Sequence, residues 1–259
     1  MTLPTIRSLW IGSSLGPLDC ICLSSFVRAG HQVELFTYED VSNIPAGVIR
    51  RDGREILPED RITAYSKSGS PALFANFFRF VMIAREGGLW VDTDVFCCRP
   101  FDFSDADYVF GREDHRVINC AVFGAPKDSD LLAFLHENSM RPPFFPRWAT
   151  PRTKTKILGG ILLNKYRRFQ DGPWGTFGPE MLTVGIKRFG LMNRCQPRDV
   201  FYPIGTKDTD VLFGPAEQAQ AQFSPKTLGV HLWNQLIADR AQPPYPPGSY
   251  LEKLFKAYS

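Results

Sequence analysis

An α/β fold with a mainly parallel central sheet is predicted by three features of this 259-residue chain. First, a short apolar run from Ile6 to Ile11 breaks at Gly12-Ser13-Ser14. It passes into a helix-like stretch from Leu18 to Ala29, closed by Gly30, and a second apolar run follows from Gln32 to Tyr38. Strand, small-residue loop, helix and strand in so few residues make a βαβ unit, the connection that parallel strands require. Second, Leu73, Phe77, Phe80 with Val81, and Ala84 recur at helical spacing between Pro71, suited to a first turn, and Gly87, suited to a C-terminal cap. Third, a buried-type strand, Leu89-Trp90-Val91, opens directly after Gly88. With 44% hydrophobic and 22% charged residues, the chain has an ordinary globular composition and the length to bury one sizeable core.

The remaining elements follow in order. Strands are expected at Tyr108 to Phe110 and Val117 to Phe123, with a helix from Ser129 to about Asn138. A further helix begins at Pro179, after Gly178, and closes at Gly190. Strands are expected near Val200 to Ile204 and near Thr227 to Val230. Gln242 to Gly248 is a proline-rich connector to a short amphipathic helix, Tyr250 to Tyr258. Parallel sheets bind ligands at the carboxyl ends of their strands, which here places Trp10 to Ser14 and Tyr38 at the binding edge.

Charge narrows the partners. Thirty basic side chains against 27 acidic give a net charge of +3, too balanced for a protein that neutralises many phosphates of a polynucleotide, so no nucleic acid is expected. One local excess stands out between Arg141 and Lys156, where Arg141, Arg147, Arg152, Lys154 and Lys156 interleave with prolines, Phe144, Phe145 and Trp148 and meet no acid. That mix suits either a solvated flap or peripheral contact with an anionic membrane, as does the segment 250–258. The first residues carry no apolar signal region and no run approaches the length of a membrane helix, so a cytoplasmic, at most membrane-peripheral, chain is expected. Six cysteines without a C-x-x-C pair read as reduced thiols.

The residues most suited to chemistry are Asp92 and Asp94, two carboxylates one residue apart at the end of a buried strand. They can converge on one hard cation, Mn2+ or Mg2+, and a diphosphate can complete its coordination. Alone the pattern is weak, since acidic turns are common on surfaces. Its context sharpens it. Phe74 to Phe80 followed by Gly87-Gly88-Leu89-Trp90-Val91-Asp92-Thr93-Asp94 resembles the signature of DXD-containing glycosyltransferases: the yeast initiating α-1,6-mannosyltransferase, the α-1,4-galactosyltransferases and the clostridial glucosylating toxins.

The resemblance implies a single Rossmann-like domain of the GT-A kind. Residues 1–124 would form the nucleotide-binding half, 125–240 the half that closes over donor and acceptor, and 241–259 the connector and last helix. It also implies transfer, with retention, from a nucleoside diphosphate sugar, a uridine donor being preferred, to a saccharide or glycolipid hydroxyl. The nucleoside would meet Trp10, Ile11, Gly12, Ser13, Tyr38 and Thr93. Donor-sugar hydroxyls would meet Asn76, Arg79, Asn119, Gly178 and Pro179. Trp233 would steady the diphosphate, and His231 would join Asp92 and Asp94 on the metal. Asn76 stands where the family pattern has aspartate, leaving a hydrogen-bonding side chain without charge. Asn76 and Arg79, three apart, are expected on a helix face opposite the packing stripe. The bland alternatives are a core Trp10 and Tyr38, a surface salt bridge for Arg79 and a structural His231.

Two other classes share part of this pattern. A haloacid-dehalogenase-like phosphatase also places Asp-x-Asp at a strand end, but Phe96 occupies the position where that motif wants Thr or Val. A non-catalytic sugar-nucleotide or glycan-binding module would keep the fold without turnover, and Asn76 is the feature that favours it.

Overall fold

The computed structural model describes residues 3–103 and 105–258. The strands are β1 Ile6–Trp10, β2 Val33–Thr37, β3 Val48–Asp52, β4 Leu89–Val91, β5 Val95–Cys97, β6 Val109–Arg112, β7 Ile118–Gly124 and β8 Gly229–His231. The helices are α1 Pro17–Arg28, α2 Ala72–Glu86, α3 Asp130–Met140, α4 Pro151–Leu162, α5 Met181–Arg188, α6 Arg198–Phe201, α7 Ala216–Gln220 and α8 Tyr250–Tyr258. Six strands form one sheet in the order β3-β2-β1-β4-β7-β6, while β5 and β8 form a separate two-stranded ribbon. β3, β2, β1 and β4 are mutually parallel, and β7 runs antiparallel to both its neighbours. The expected α/β architecture with a mainly parallel sheet is therefore present.

The sheet order positions the site. From β1 the chain winds outward to β2 and β3, then returns to place β4 on the other side of β1. The loops after β1 and β4 therefore leave the same edge at the point where the winding reverses, and such switch points open a crevice at the carboxyl ends of the strands.

α2 is apolar almost all round: Leu73, Phe74, Phe77, Phe78, Phe80, Val81, Met82 and Ile83 are buried, and so are Asn76 and Arg79. This corrects the expectation of one packed and one open face. A helix apolar on every side is enclosed by its neighbours, here the sheet with α3 and the Thr176–Glu180 turn. Gly87 and Gly88 then reverse the chain at φ 72° and 74°. A Cβ on Gly88 would lie 2.9 Å from the Thr5 carbonyl oxygen and closer still to the Arg7 guanidinium, so only glycine fits this approach between α2 and β4.

The strand expected at Val200 to Ile204 is instead α6 and a coil. Val200, Phe201, Tyr202 and Ile204 are all buried without alternation. Pro203 has no N–H for a ladder, and the Tyr202 N–H closes a helical turn on the Arg198 carbonyl. The amphipathic α8 turns Tyr250, Leu251 and Leu254 into the core formed with α1 and α7. Arg28 donates to the Ala257 carbonyl at 2.6 Å, and the buried face of residues 250–258 packs on the protein. Among the described residues no helix is long and apolar enough to cross a membrane.

Candidate active site

Asp92 and Asp94 project from the turn between β4 and β5, at the switch-point edge of the sheet. The ribbon brings the third member from far along the chain: β8 pairs antiparallel with β5 so that His231 lies opposite Val95. The His231 Nε2 is 3.1 Å from Asp94 Oδ1. One ligand atom from each of Asp92, Asp94 and His231 can be chosen so that all lie within 4.8 Å of one another. This is the only such group of three found among the described residues.

Each carboxylate is held by specific donors. Asp92 Oδ1 accepts from Arg79 Nη2 at 2.5 Å and from the Trp90 indole at 2.6 Å. Arg79 is 2% exposed, stacks its guanidinium 4.8 Å above the Trp90 ring, and gives its Nη1 to Asn76 Oδ1 at 2.6 Å. It is thus a buried cation that orients Asp92 rather than a surface salt bridge. Burial works against its charge, but Asp92 outweighs that and raises its pKa. Asp94 Oδ2 accepts from the Asn234 N–H at 2.9 Å. That N–H is aimed by Trp233, which sits at φ 59°, a left-handed backbone that a bulky residue adopts only when its surroundings compel it. Burial would raise the Asp94 pKa and lower that of His231. Their mutual attraction prevails in both, holding the carboxyl below and the imidazole above its ordinary range.

Sequence reasoning missed two residues here. Asp19, in the first turn of α1, is buried and accepts from Thr93 Oγ1 at 2.6 Å and from Asn234 Nδ2 at 3.3 Å. It ties the loop after β1, the acidic turn and the segment after β8 together. Burial pushes its pKa to about 7, the Thr93 hydrogen bond pulling the other way and Asp94 adding to the rise. Asn234 is the other. The only signal for either was a polar side chain beside an expected strand end.

Several expected contacts are differently employed. Tyr38 lies in the core with its hydroxyl donated to the Leu57 carbonyl at 2.7 Å, so it does not face a nucleoside. Thr93 spends its hydroxyl on Asp19. The Trp233 indole N–H goes to the Ile204 carbonyl at 2.9 Å, and the Trp233 and His231 ring centroids lie 3.9 Å apart. Both ends of the Asn119 amide are engaged, with Glu113 and with the Ala121 N–H.

The other named residues lie as follows. Trp10, Ile11 and Gly12 are partly exposed and Ser13 exposed at the end of β1, with Gly12 at φ 135°. Gly178 lies against Asn76 so closely that a Cβ would meet its amide at 2.6 Å. Pro179 follows at the turn into α5, its carbonyl accepting from Thr183 Oγ1 at 2.7 Å. Five buried side-chain polar atoms among the described residues lack a partner. Four of them, Trp10 Nε1, Arg79 Nε, His231 Nδ1 and Asn234 Oδ1, belong to this corner. Buried polar atoms are normally satisfied, so such a concentration marks a place built around something else.

Residues 35–111 match the family model described as the glycosyltransferase sugar-binding region containing the DXD motif, and residues 152–258 match the alpha 1,4-glycosyltransferase conserved region. Two glycosyltransferase family models thus match separate parts of this chain, which is a glycosyltransferase. Both matches agree with the geometry: one spans α2 and the acidic turn, the other His231 and Asn234. Among solved structures the glycosyltransferase is similar to one titled PaToxG Glycosyltransferase, at 11% identity and a TM-score of 0.46, over 73% of this chain and 70% of that one. No curated protein matches it. The matched families imply a nucleotide-sugar donor and a saccharide acceptor, and DXD-containing glycosyltransferases usually bind a divalent metal, for which the Asp-Asp-His group is a candidate site.

Proposed function

We propose that this glycosyltransferase, acting as one domain, moves a hexose from a uridine diphosphate sugar to a saccharide or glycolipid hydroxyl, with retention, using a divalent ion held by Asp92, Asp94 and His231. The observation that carries the reading is the meeting of these three side chains at the sheet's switch point, with ligand atoms within 4.8 Å. Two carboxylates and an imidazole suit Mn2+ better than Mg2+, which prefers oxygen ligands alone. When bound, the ion supplies Lewis-acid neutralisation of the departing diphosphate.

This chain's own residues prepare that corner. Arg79 and Trp90 fix one oxygen of Asp92 and leave Oδ2 to face the ligand. The Asn234 N–H fixes Asp94, and Trp233 packs behind His231. Gly178 against Asn76 forms the donor-sugar side, and Trp10 with Gly12 the nucleoside side. No protein group is assigned as base, because the departing diphosphate lies beside the incoming hydroxyl in a retaining displacement and can take its proton. The same packing disfavours a phosphatase, since an aspartate clamped by a guanidinium and an indole is a poor nucleophile.

The test is a panel of sugar nucleotides in a thermal-shift assay with and without manganese, followed by donor hydrolysis without acceptor. A uridine donor near 100 times its dissociation constant should stabilise by about 2.7 kcal/mol, a shift of roughly 5–10 °C for a domain of this size. Stabilisation only by guanosine donors would displace the donor class. Binding without any turnover would favour a non-catalytic module.

A further inference from the structure

α4 was not expected from the sequence, and little of its 12-residue length is buried. Only Thr153 and Ile157 of its side chains are buried. On a helix of 3.6 residues per turn, Leu158 and Leu162 fall on the side opposite those two, with Arg152 and Lys154 flanking them. Leu158 is 50%, Leu162 85% and the following Leu163 67% exposed. The patch continues to Phe144, 48% exposed, whose ring lies 5.0 Å from that of Tyr166, the residue packed against Gly160 of α4.

The charge around this patch is segregated. Residues 141–168 hold eight of the 30 basic side chains and no acid, so the rest of the chain carries 22 basic against 27 acidic. A leucine ridge flanked by Lys and Arg, on a helix whose other side is anchored, is the pattern of a helix lying in the headgroup layer of an anionic bilayer. A protein partner would gain from the leucines but would need its own dense acidic surface to match so many cations.

We propose that α4 is a membrane-docking helix: Leu158, Leu162 and Leu163 insert into the interface of an anionic phospholipid bilayer while the cations of 141–168 pair with its headgroups. Hydrogen bonds join the helix to the segment that carries Gly178. Glu180, two residues beyond Gly178, accepts from the Thr150 N–H at 2.9 Å and from the Thr150 and Thr153 hydroxyls at 2.7 Å, capping α4 from the donor-sugar side. Docking stands without the transfer reading. Only its consequence, that the acceptor is lipid-linked and meets the Gly178 side of the site, rests on that reading.

The experiment is co-sedimentation of the full chain with neutral phosphatidylcholine vesicles and with vesicles containing phosphatidylglycerol, at low and high salt. The wild type should bind the anionic vesicles and be released by salt. Leu158→Glu with Leu162→Glu should lower the partition coefficient at least about tenfold. Arg152→Gln and Lys154→Gln should each lower it about fivefold. None of these side chains belongs to the site, so thermal midpoint and vesicle-free donor hydrolysis should stay at wild-type values. The proposal is overturned if the wild type ignores phosphatidylglycerol vesicles or if the leucine variants bind them equally. It is also overturned if light scattering shows a dimer that the leucine substitutions split, which would assign the face to a second copy.

Discussion

Arg79 offers the sharpest energetic test. It is buried, and its Nη2 meets Asp92 Oδ1 at 2.5 Å. Arg79→Met fills the same space without the charge and leaves Asp92 with the Trp90 indole alone. Breaking a buried pair from one side costs about 3–5 kcal/mol, but the Asp92 side chain is 29% exposed and water can replace part of the lost contact. The expectation is therefore a loss of about 2–3 kcal/mol, read as a fall of roughly 5–10 °C in the thermal midpoint. Asp92→Asn alone would strand the guanidinium at similar cost. The double variant should be less destabilised than the two singles combined, by a coupling of about 1–2 kcal/mol. Urea unfolding of all four proteins by far-UV circular dichroism closes the cycle. Additivity within about 0.5 kcal/mol would refute the view that Arg79 acts through Asp92.

Other variants test the surroundings. Gly178→Ala pushes a Cβ to 2.6 Å from the Asn76 amide, so donor KM should rise at least about tenfold with the fold intact; an unchanged KM would separate Gly178 from the donor side. Gly88→Ala meets the Thr5 carbonyl at φ 74° and should destabilise by about 3 kcal/mol or more, measured by urea unfolding. Asp19, with its folded pKa raised to about 7 from 3.8, favours the protonated folded state. Its contribution is complete below about pH 4 and is lost as pH rises through 7, a change of up to about 4 kcal/mol in the metal-free chain. Asp19→Asn should therefore flatten the stability profile between about pH 4 and pH 7, and parallel profiles for variant and wild type would contradict the burial of that charge.

What could be read from the sequence was local. The β1-α1-β2 unit and the run from α2 through Gly87-Gly88 to the acidic turn follow from periodicity and caps within a few residues of each other. β3 escaped because an edge strand reading Val48-Ile49-Arg50-Arg51-Asp52 has polar side chains on both faces, paired outward with Asp40 and Glu55. β5 is too short to show a period, yet its pairing with β8 is what carries His231 across 137 positions to Asp94. Arg79 and Asn76 were found, but their burial depends on which neighbours close over α2, and no helical wheel contains that. Asp19 and Asn234 are bound to the site by hydrogen bonds between distant segments, so single-segment patterns could not reveal them.

The most direct measurement is manganese binding by titration calorimetry, paired with hydrolysis of a uridine diphosphate sugar, in the wild type and in Asp94→Ala. The account predicts a single manganese site in the wild type whose affinity falls at least about 100-fold in the variant, with hydrolysis lost and the circular dichroism spectrum preserved. Manganese binding or turnover that survives in Asp94→Ala would contradict it.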